Sequence, residues 1–270
     1  MDKTPIAFIG GGNMARALIG GLLQAGHPAA AITVADPGKN ARQAASSDFG
    51  VRVMADNCAA VEDAAVVVLA IKPQIMAAVL AELAPSLASR PLLISVAAGI
   101  TLDVLERELG AHRPIVRAMP NTPALYGAGM TGMVANAAVV RGDRVLAERI
   151  LATAGQTVWL EDEQLMDVVT AVSGSGPAYF FALAEQLALA GERAGLAPAV
   201  AAQLARQTAF GAGLMLVESG LSAGELRMRV TSPGGTTQAA LESLGRDGFE
   251  RMVERAIQAA INRGRKLGEQ

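Results

Sequence analysis

Phe8-Ile9-Gly10-Gly11-Gly12-Asn13-Met14-Ala15 joins a short apolar run, residues 5–9, to a helical stretch from Arg16 to Gln24. A strand, a glycine turn and a helix in that order build a cradle for phosphates. Gly10 allows the tight turn, Gly12 lets the backbone approach a pyrophosphate, and Ala15 permits close packing of helix on strand. The helix N-terminus, with free N–H groups and a partial positive charge, then faces the phosphates. The G-x-G-x-x-A spacing also occurs in turns that are purely structural, so its surroundings decide its meaning.

A second strand over Ile32–Ala35 ends at Asp36, where an acidic residue would reach an adenosine ribose. Strand-like runs recur at Ala65–Ile71, Leu92–Val96 and Ile115–Ala118, with helical patterns at Gln74–Ala84 and Leu102–Leu109 between them. This alternation predicts an α/β domain with a doubly wound, mainly parallel sheet and helices on both faces. Ligands of such sheets bind beyond the carboxyl ends of the strands. Candidate residues stand at three of those ends: Lys72-Pro73, Ala97-Ala98-Gly99 and Met119-Pro120-Asn121-Thr122-Pro123. Lys72 taken alone also reads as a solvated lysine, and Asp36, before Pro37, as a turn former. The Asp36 carboxylate favours NADH, since it would repel a 2′-phosphate, whereas Lys39, Asn40 and Arg42 just beyond it favour NADPH.

Composition narrows the classes further. A chain of 270 residues can bury a sizeable core in one large domain or two ordinary ones. It is 51% hydrophobic but only 3% aromatic, so Ala, Leu and Val dominate, which suits close helix packing. Apolar stretches break off well before the ~20 residues of a bilayer span. The first strand begins too early to leave room for a secretory leader, which predicts a cytoplasmic protein without a membrane partner. Cys58 is the single cysteine, so no intrachain disulfide can form, and His27 and His112 lie far apart, so no metal-ligand set is expected. A net charge of −2 without basic runs gives no footprint for nucleic acid.

From about Asp162 the strand signals vanish, which divides the chain into residues 1–161 and a helical part, residues 162–270. Helical stretches are expected at Glu163–Val172, Ala178–Ala194, Ala199–Ser219 and Gly248–Leu267. Ala199–Ser219 would be ~31 Å long and is apolar or small nearly all round, so it calls for burial on several sides and hence for a partner subunit. Ser173-Gly174-Ser175-Gly176-Pro177 leads into a helix with Pro177 in its first turn, where a missing N–H costs little. Thr231-Ser232-Pro233-Gly234-Gly235-Thr236-Thr237 is a polar loop inside the helical region. One reading makes Ser232 an N-cap with Pro233 at the first helical position. The other leaves the N–H groups of Gly234 and Gly235 unobstructed for a substrate carboxylate, with Thr236 and Thr237 hydroxyls beside it.

Five stretches together, FIGGGNMA at 8–15, AIKPQ at 70–74, AMPNTP at 118–123, AVSGSGPAYFF at 171–181 and RVTSPGGTT at 229–237, resemble pyrroline-5-carboxylate reductases from residue 5 to about 265. The pair SGSGPAY and SPGGTT is the most specific part. The resemblance implies an N-terminal Rossmann domain, a C-terminal helical dimerisation domain with interleaved helices, and an active site where two subunits meet. It implies NADPH or NADH as cofactor and 1-pyrroline-5-carboxylate as substrate, in a homodimer or an assembly of dimers. Cofactor binding is expected at Gly10, Gly12, Asn13, Met14, Ala15, Asp36, Asn57, Ala70, Lys72, Pro73, Ala97 and Asn121. Substrate binding is expected at Ser232, Gly234, Gly235, Thr236, Thr237 and Ser175, with Thr237 meeting the ring nitrogen. Asp36 departs from the serine or asparagine that many NADP-preferring members carry.

Two rivals have distinct signatures. The β-hydroxyacid dehydrogenases share this architecture and follow a related glycine-rich stretch with a catalytic lysine, but Phe180 stands at that position here. Another imine reductase of the same architecture is separated only by its substrate. A nucleotide-binding regulatory protein without turnover would require the loop at 231–237 to be purely structural.

Overall fold

The computed structural model describes residues 3–87 and 90–268. The first half alternates as expected: β1 (Ile6–Ile9), α1 (Asn13–Gln24), β2 (Ile32–Ala35), α2 (Lys39–Phe49), β3 (Arg52–Met54), α3 (Asn57–Val61), β4 (Val66–Leu69), α4 (Met76–Leu83), β5 (Leu92–Ser95), α5 (Leu102–Leu109) and β6 (Ile115–Met119). Two further strands follow, β7 (Gly129–Ala135) and β8 (Gly155–Trp159), with α6 (Arg141–Leu151) between them. Among the described residues the strands form one sheet in the order β3-β2-β1-β4-β5-β6-β7-β8. Pairing is parallel throughout except between β6 and β7.

Burial explains why these runs are strands. In β1, Ile6 and Phe8 enter a core beneath α1, α2 and α6, while Ala7 and Ile9 enter a second core beneath α3, α4 and α5. Successive side chains of a strand point to opposite faces, so a sheet covered on both sides reads as a continuous apolar run. Strand order turns outward on either side of β1 and β4, and the crevice at such a switch point receives ligands.

β3, β7 and β8 did not show in the sequence pattern, and glycine is part of the reason for the last two. A Cβ on Gly129 would lie 2.8 Å from the Ala154 carbonyl oxygen, one on Gly132 2.7 Å from Val169 Cγ1, and one on Gly155 2.1 Å from the Gly129 carbonyl oxygen. Gly129 and Gly155 approach neighbouring backbone, and Gly132 the Val169 side chain, too closely for side chains of their own, which removes the alternation that marks a strand.

The chain divides into two compact units between Ser175 and Gly176, later than the boundary expected near 162, and residues 260–268 belong to the first unit. The single helix expected over Glu163–Val172 is instead a 3-10 turn (Glu163–Leu165), the short α7 (Met166–Val169) and a π-turn (Thr170–Gly174). Within the second unit lie α8 (Gly176–Arg193), α9 (Pro198–Glu218), α10 (Ala223–Arg229), α11 (Thr236–Arg246) and the first part of α12 (Phe249–Gly268). α10 was not expected, although Ser222 and Glu225 form a capping box at its start, a signal present in the sequence. In a single chain α9 buries only Ala201 and Ala205. Phe210, Leu214, Met215 and Val217 stay exposed, as do Phe180 and Phe181 on α8. No helix among the described residues is long and apolar enough to cross a membrane.

Candidate active site

Gly10 turns the chain out of β1 with φ +97°, a conformation that side chains rarely adopt. Its N–H donates to the Ala35 carbonyl at 2.7 Å, and an added Cβ would lie 2.5 Å from the Ala70 carbonyl oxygen. Gly10 is therefore glycine for the fold. Gly12 differs: φ is −71°, and a Cβ built there meets nothing within 4 Å. No neighbour among the described residues excludes a side chain at this position, and the open space above it suits a phosphate brought close to the backbone.

Gly12 is the N-cap of α1 and makes no side-chain cap. The first N–H to find a helical acceptor is that of Arg16, bonded to the Gly12 carbonyl at 3.0 Å, so those of Asn13, Met14 and Ala15 open the helix toward the crevice. This set of main-chain donors fits a dinucleotide pyrophosphate. Arg16, one turn in, stacks over Phe49 at 5.0 Å and donates to Asp48 at 2.6 Å, tying α1 to α2. That hydrogen bond, with a second from Ser47, holds the Asp48 carboxyl below its usual range.

Asp36 is anchored at the end of β2. Its Oδ2 accepts the Gly11 N–H at 2.9 Å and its Oδ1 the Gly38 N–H at 2.8 Å, which fixes the carboxylate against the phosphate turn. Arg42 does not pair with it. Instead Arg42 Nη1 donates to the carbonyls of Asp36 and Pro37 at 2.6 and 2.9 Å. Ala70 follows β4 and donates to the Ile9 carbonyl at 2.8 Å, so it sits beside the glycine turn. Lys72 is exposed and precedes a 3-10 turn that Pro73 begins, while Ala97 is buried after β5. Asn57 opens α3 and its Nδ2 reaches Glu82 Oε2 at 3.4 Å. Asp56, Cys58 and Glu82 gather nearby, a grouping not foreseen from the spacing of histidines, and two of its groups already serve the fold: Asp56 accepts the Ala59 N–H, and Cys58 Sγ donates to the Glu82 carbonyl.

In the second unit, Ser232-Pro233-Gly234-Gly235 forms a β-turn, with the Gly235 N–H donating to the Ser232 carbonyl at 3.0 Å and Gly234 at φ +70°. Proline followed by a glycine of positive φ is the signature of a type II turn. Ser232 therefore does not cap the helix. The N-cap of α11 is Gly235, without a side-chain cap, and Thr236 is the first helical residue. The two glycine N–H groups are spent inside the loop, that of Gly234 on Gln238 Oε1 at 2.7 Å. Gln238 was not singled out from sequence, though it lies one helical turn past the glycines and also donates to Glu242 Oε1 at 2.8 Å. The N–H groups of Thr236, Thr237 and Gln238 have no partner among the described residues, the first helical bond of α11 being that of the Ala239 N–H to the Gly235 carbonyl at 3.2 Å. The donors open for a carboxylate are thus those of the two threonines and Gln238, beyond the glycines, because the turn and Gln238 consume the glycines' own.

Ser175 closes the π-turn, its N–H donating to the Thr170 carbonyl at 2.7 Å. Asn121, just past β6, links to this turn: its Nδ2 donates to the Ser173 carbonyl at 3.0 Å, and its Oδ1 accepts the Met130 N–H at 2.9 Å.

A family model described as pyrroline-5-carboxylate reductase dimerisation matches residues 163–267, and one described as NADP oxidoreductase, coenzyme F420-dependent, matches residues 5–99. Pyrroline-5-carboxylate reductase of Pseudomonas aeruginosa is 50% identical over 270 residues, 100% of this chain and 99% of that one. The Pisum sativum enzyme of the same name is 38% identical over 98% of this chain and 97% of its own. Among solved structures, the Coxiella burnetii pyrroline-5-carboxylate reductase superposes with a TM-score of 0.95 at 39% identity, covering all of both chains. The Plasmodium falciparum pyrroline carboxylate reductase with NADP bound gives 0.87 at 31% identity, covering 99% of each.

Proposed function

The chain belongs to the pyrroline-5-carboxylate reductase family, and from that premise we propose that it reduces 1-pyrroline-5-carboxylate to L-proline with NADPH or NADH, the last step of proline biosynthesis. When bound, the reduced nicotinamide supplies the hydride. The chain holds and orients. In the first unit, Gly10 and Gly12 shape the phosphate turn, the N–H groups of Asn13, Met14 and Ala15 take the pyrophosphate, and Asp36 meets the adenosine ribose. Asn57, Ala70, Lys72, Pro73 and Ala97 line the dinucleotide's course along the strand ends.

In the second unit, the Thr236, Thr237 and Gln238 N–H groups bind the substrate carboxylate, with Ser232 and the Gly234-Gly235 turn fixing the approach; Ser175 is a further substrate residue. The Thr237 hydroxyl bonds the ring nitrogen. A hydroxyl both donates and accepts, so it can hold that nitrogen in either protonation state. A cyclic imine is readily protonated near neutral pH. Hydride adds to the ring carbon of the C=N bond, the π pair moves onto a nitrogen that already carries its proton, and the amine forms without an alkoxide. No side chain has to act as a general base, which suits an exposed Phe180 where a hydroxyacid dehydrogenase carries lysine. Orientation of two reactants supplies up to ~7–11 kcal/mol in the best intramolecular models, so positioning suffices as the main source of rate. In this reading the self-association that accompanies the dimerisation match is a homodimer or an assembly of dimers in the cytoplasm.

The observation that carries the reading is the uncapped start of α11, where three main-chain donors and the Thr237 hydroxyl stand together past the SPGG turn. Following NADPH and NADH oxidation at 340 nm with pyrroline-5-carboxylate tests it. Turnover with at least one cofactor is expected, and no oxidation of either overturns the proposal.

A further inference from the structure

The Ser173 carbonyl lacks the donor that an α-helical register would give it. In a continuous α-helix this oxygen would accept from the N–H four residues on, and that residue is Pro177, which has none. The backbone there widens into a π-turn, a form that is rare and concentrates at functional sites. The Ser173 hydroxyl is buried and makes no hydrogen bond among the described residues, so it does not anchor the turn either. Gly174 presses on the end of β6, where an added Cβ would lie 2.8 Å from Met119 Cε.

Asn121 supplies the missing donor from another segment. It occupies the N-cap position of the 3-10 turn Thr122–Tyr126, where an asparagine ordinarily bonds the helix's own N–H groups, yet it makes no such cap. Both ends of its amide are committed elsewhere, Nδ2 to the Ser173 carbonyl and Oδ1 to the Met130 N–H. The side chain thereby joins the carboxyl end of β6, the start of β7 and the π-turn that carries Ser175.

We infer that Asn121 is a positioning residue: its amide sets the height and tilt of the Ser173–Ser175 backbone above the carboxyl edge of the sheet, and through it the place of Ser175, one of the substrate residues proposed above. The inference rests on the reductase reading above. It assigns to Asn121 a role through protein contacts, separate from direct contact with the dinucleotide. A misplacement of about 1 Å in such a site costs about a hundredfold in rate, so one lost strut has a measurable effect.

Two variants separate positioning from plain stability. Asn121→Ala removes both bonds. Asn121→Asp keeps the acceptor for the Met130 N–H and sets a carboxylate against the Ser173 carbonyl. For both, kcat should fall by about ten- to a hundredfold at neutral pH, while cofactor Kd by fluorescence titration changes less than twofold. An introduced carboxyl facing a carbonyl has a raised pKa and donates once protonated, so the Asn121→Asp deficit relative to wild type should shrink as pH falls toward about 5. The Asn121→Ala deficit should stay constant over that range. Wild-type kcat per folded molecule in Asn121→Ala, or parallel pH profiles for the two variants, overturns the inference. A wild-type protein that turns over no pyrroline-5-carboxylate defeats the functional reading itself, so the two failures are distinct.

Discussion

Gly10 and Gly12 sit two residues apart in one turn, and the structure gives them opposite reasons for being glycine. Replacing Gly12 by Val introduces a side chain into space that is empty within 4 Å, on a backbone with an ordinary φ of −71°. The folded chain should tolerate it. Valine is a poorer N-cap than glycine by about 1 kcal/mol, which lowers Tm by about 2–4 °C for a domain of this size. Ligand binding should not tolerate it, because the new methyl groups stand between the α1 N-terminus and the pyrophosphate. Losing two hydrogen bonds to a charged group at ~1.5–3 kcal/mol each removes ~3–6 kcal/mol, a hundredfold or more in Kd. Gly10→Ala reverses the pattern. A φ of +97° costs a Cβ-bearing residue about 1–2 kcal/mol. The 2.5 Å approach to the Ala70 carbonyl oxygen adds about 1–3 kcal/mol of overpacking. Together these predict a Tm lower by roughly 4–20 °C. Circular dichroism melts and fluorescence titrations with NADPH and NADH check both variants. Wild-type cofactor affinity in Gly12→Val, or an unshifted Tm in Gly10→Ala, would refute the division of labour argued here.

Thr237→Val should lower kcat/KM by roughly tenfold to a few hundredfold, the ~1.5–3 kcal/mol of a hydrogen bond to a charged group, with cofactor affinity unchanged. Steady-state kinetics that match wild type would mean the ring nitrogen is held elsewhere. Asp36→Ser removes a carboxylate fixed by two N–H groups and leaves Arg42 and Lys39 in place, so the NADPH-to-NADH ratio of kcat/KM should rise. An unchanged ratio would mean Asp36 does not face the ribose. Sedimentation at micromolar concentration should find dimers or larger assemblies, because Phe180, Phe181, Phe210 and Val217 are exposed in the single chain. A stable and active monomer is the contrary result.

The sequence made the first six strands of the sheet largely legible wherever side chains carried the information. β1, β2, β4, β5 and β6 are buried on both faces, and their apolar runs announce them; β3, three residues long and beginning with exposed Arg52, does not. Legibility ended where close packing leaves room only for glycine. At Gly129, Gly132 and Gly155 close approach displaces the side chains that would have signalled β7 and β8. The same physics governs the active-site loops. SPGG was readable as a polar break, but whether its glycines offer their N–H groups or spend them depends on a turn closed by the Ser232 carbonyl and on Gln238 reaching back from α11. Asn121 was conspicuous as a residue at a strand end, yet its partners lie in sequence-distant segments, and the need it meets comes from Pro177, a residue whose effect on the Ser173 carbonyl appears only once the helix is drawn. Residue type thus identified where chemistry occurs, while the assignment of individual donors required knowing which main-chain groups the fold had already used. That accounting leaves open the N–H groups of Thr236, Thr237 and Gln238, beside the Thr237 hydroxyl on which the kinetic prediction rests.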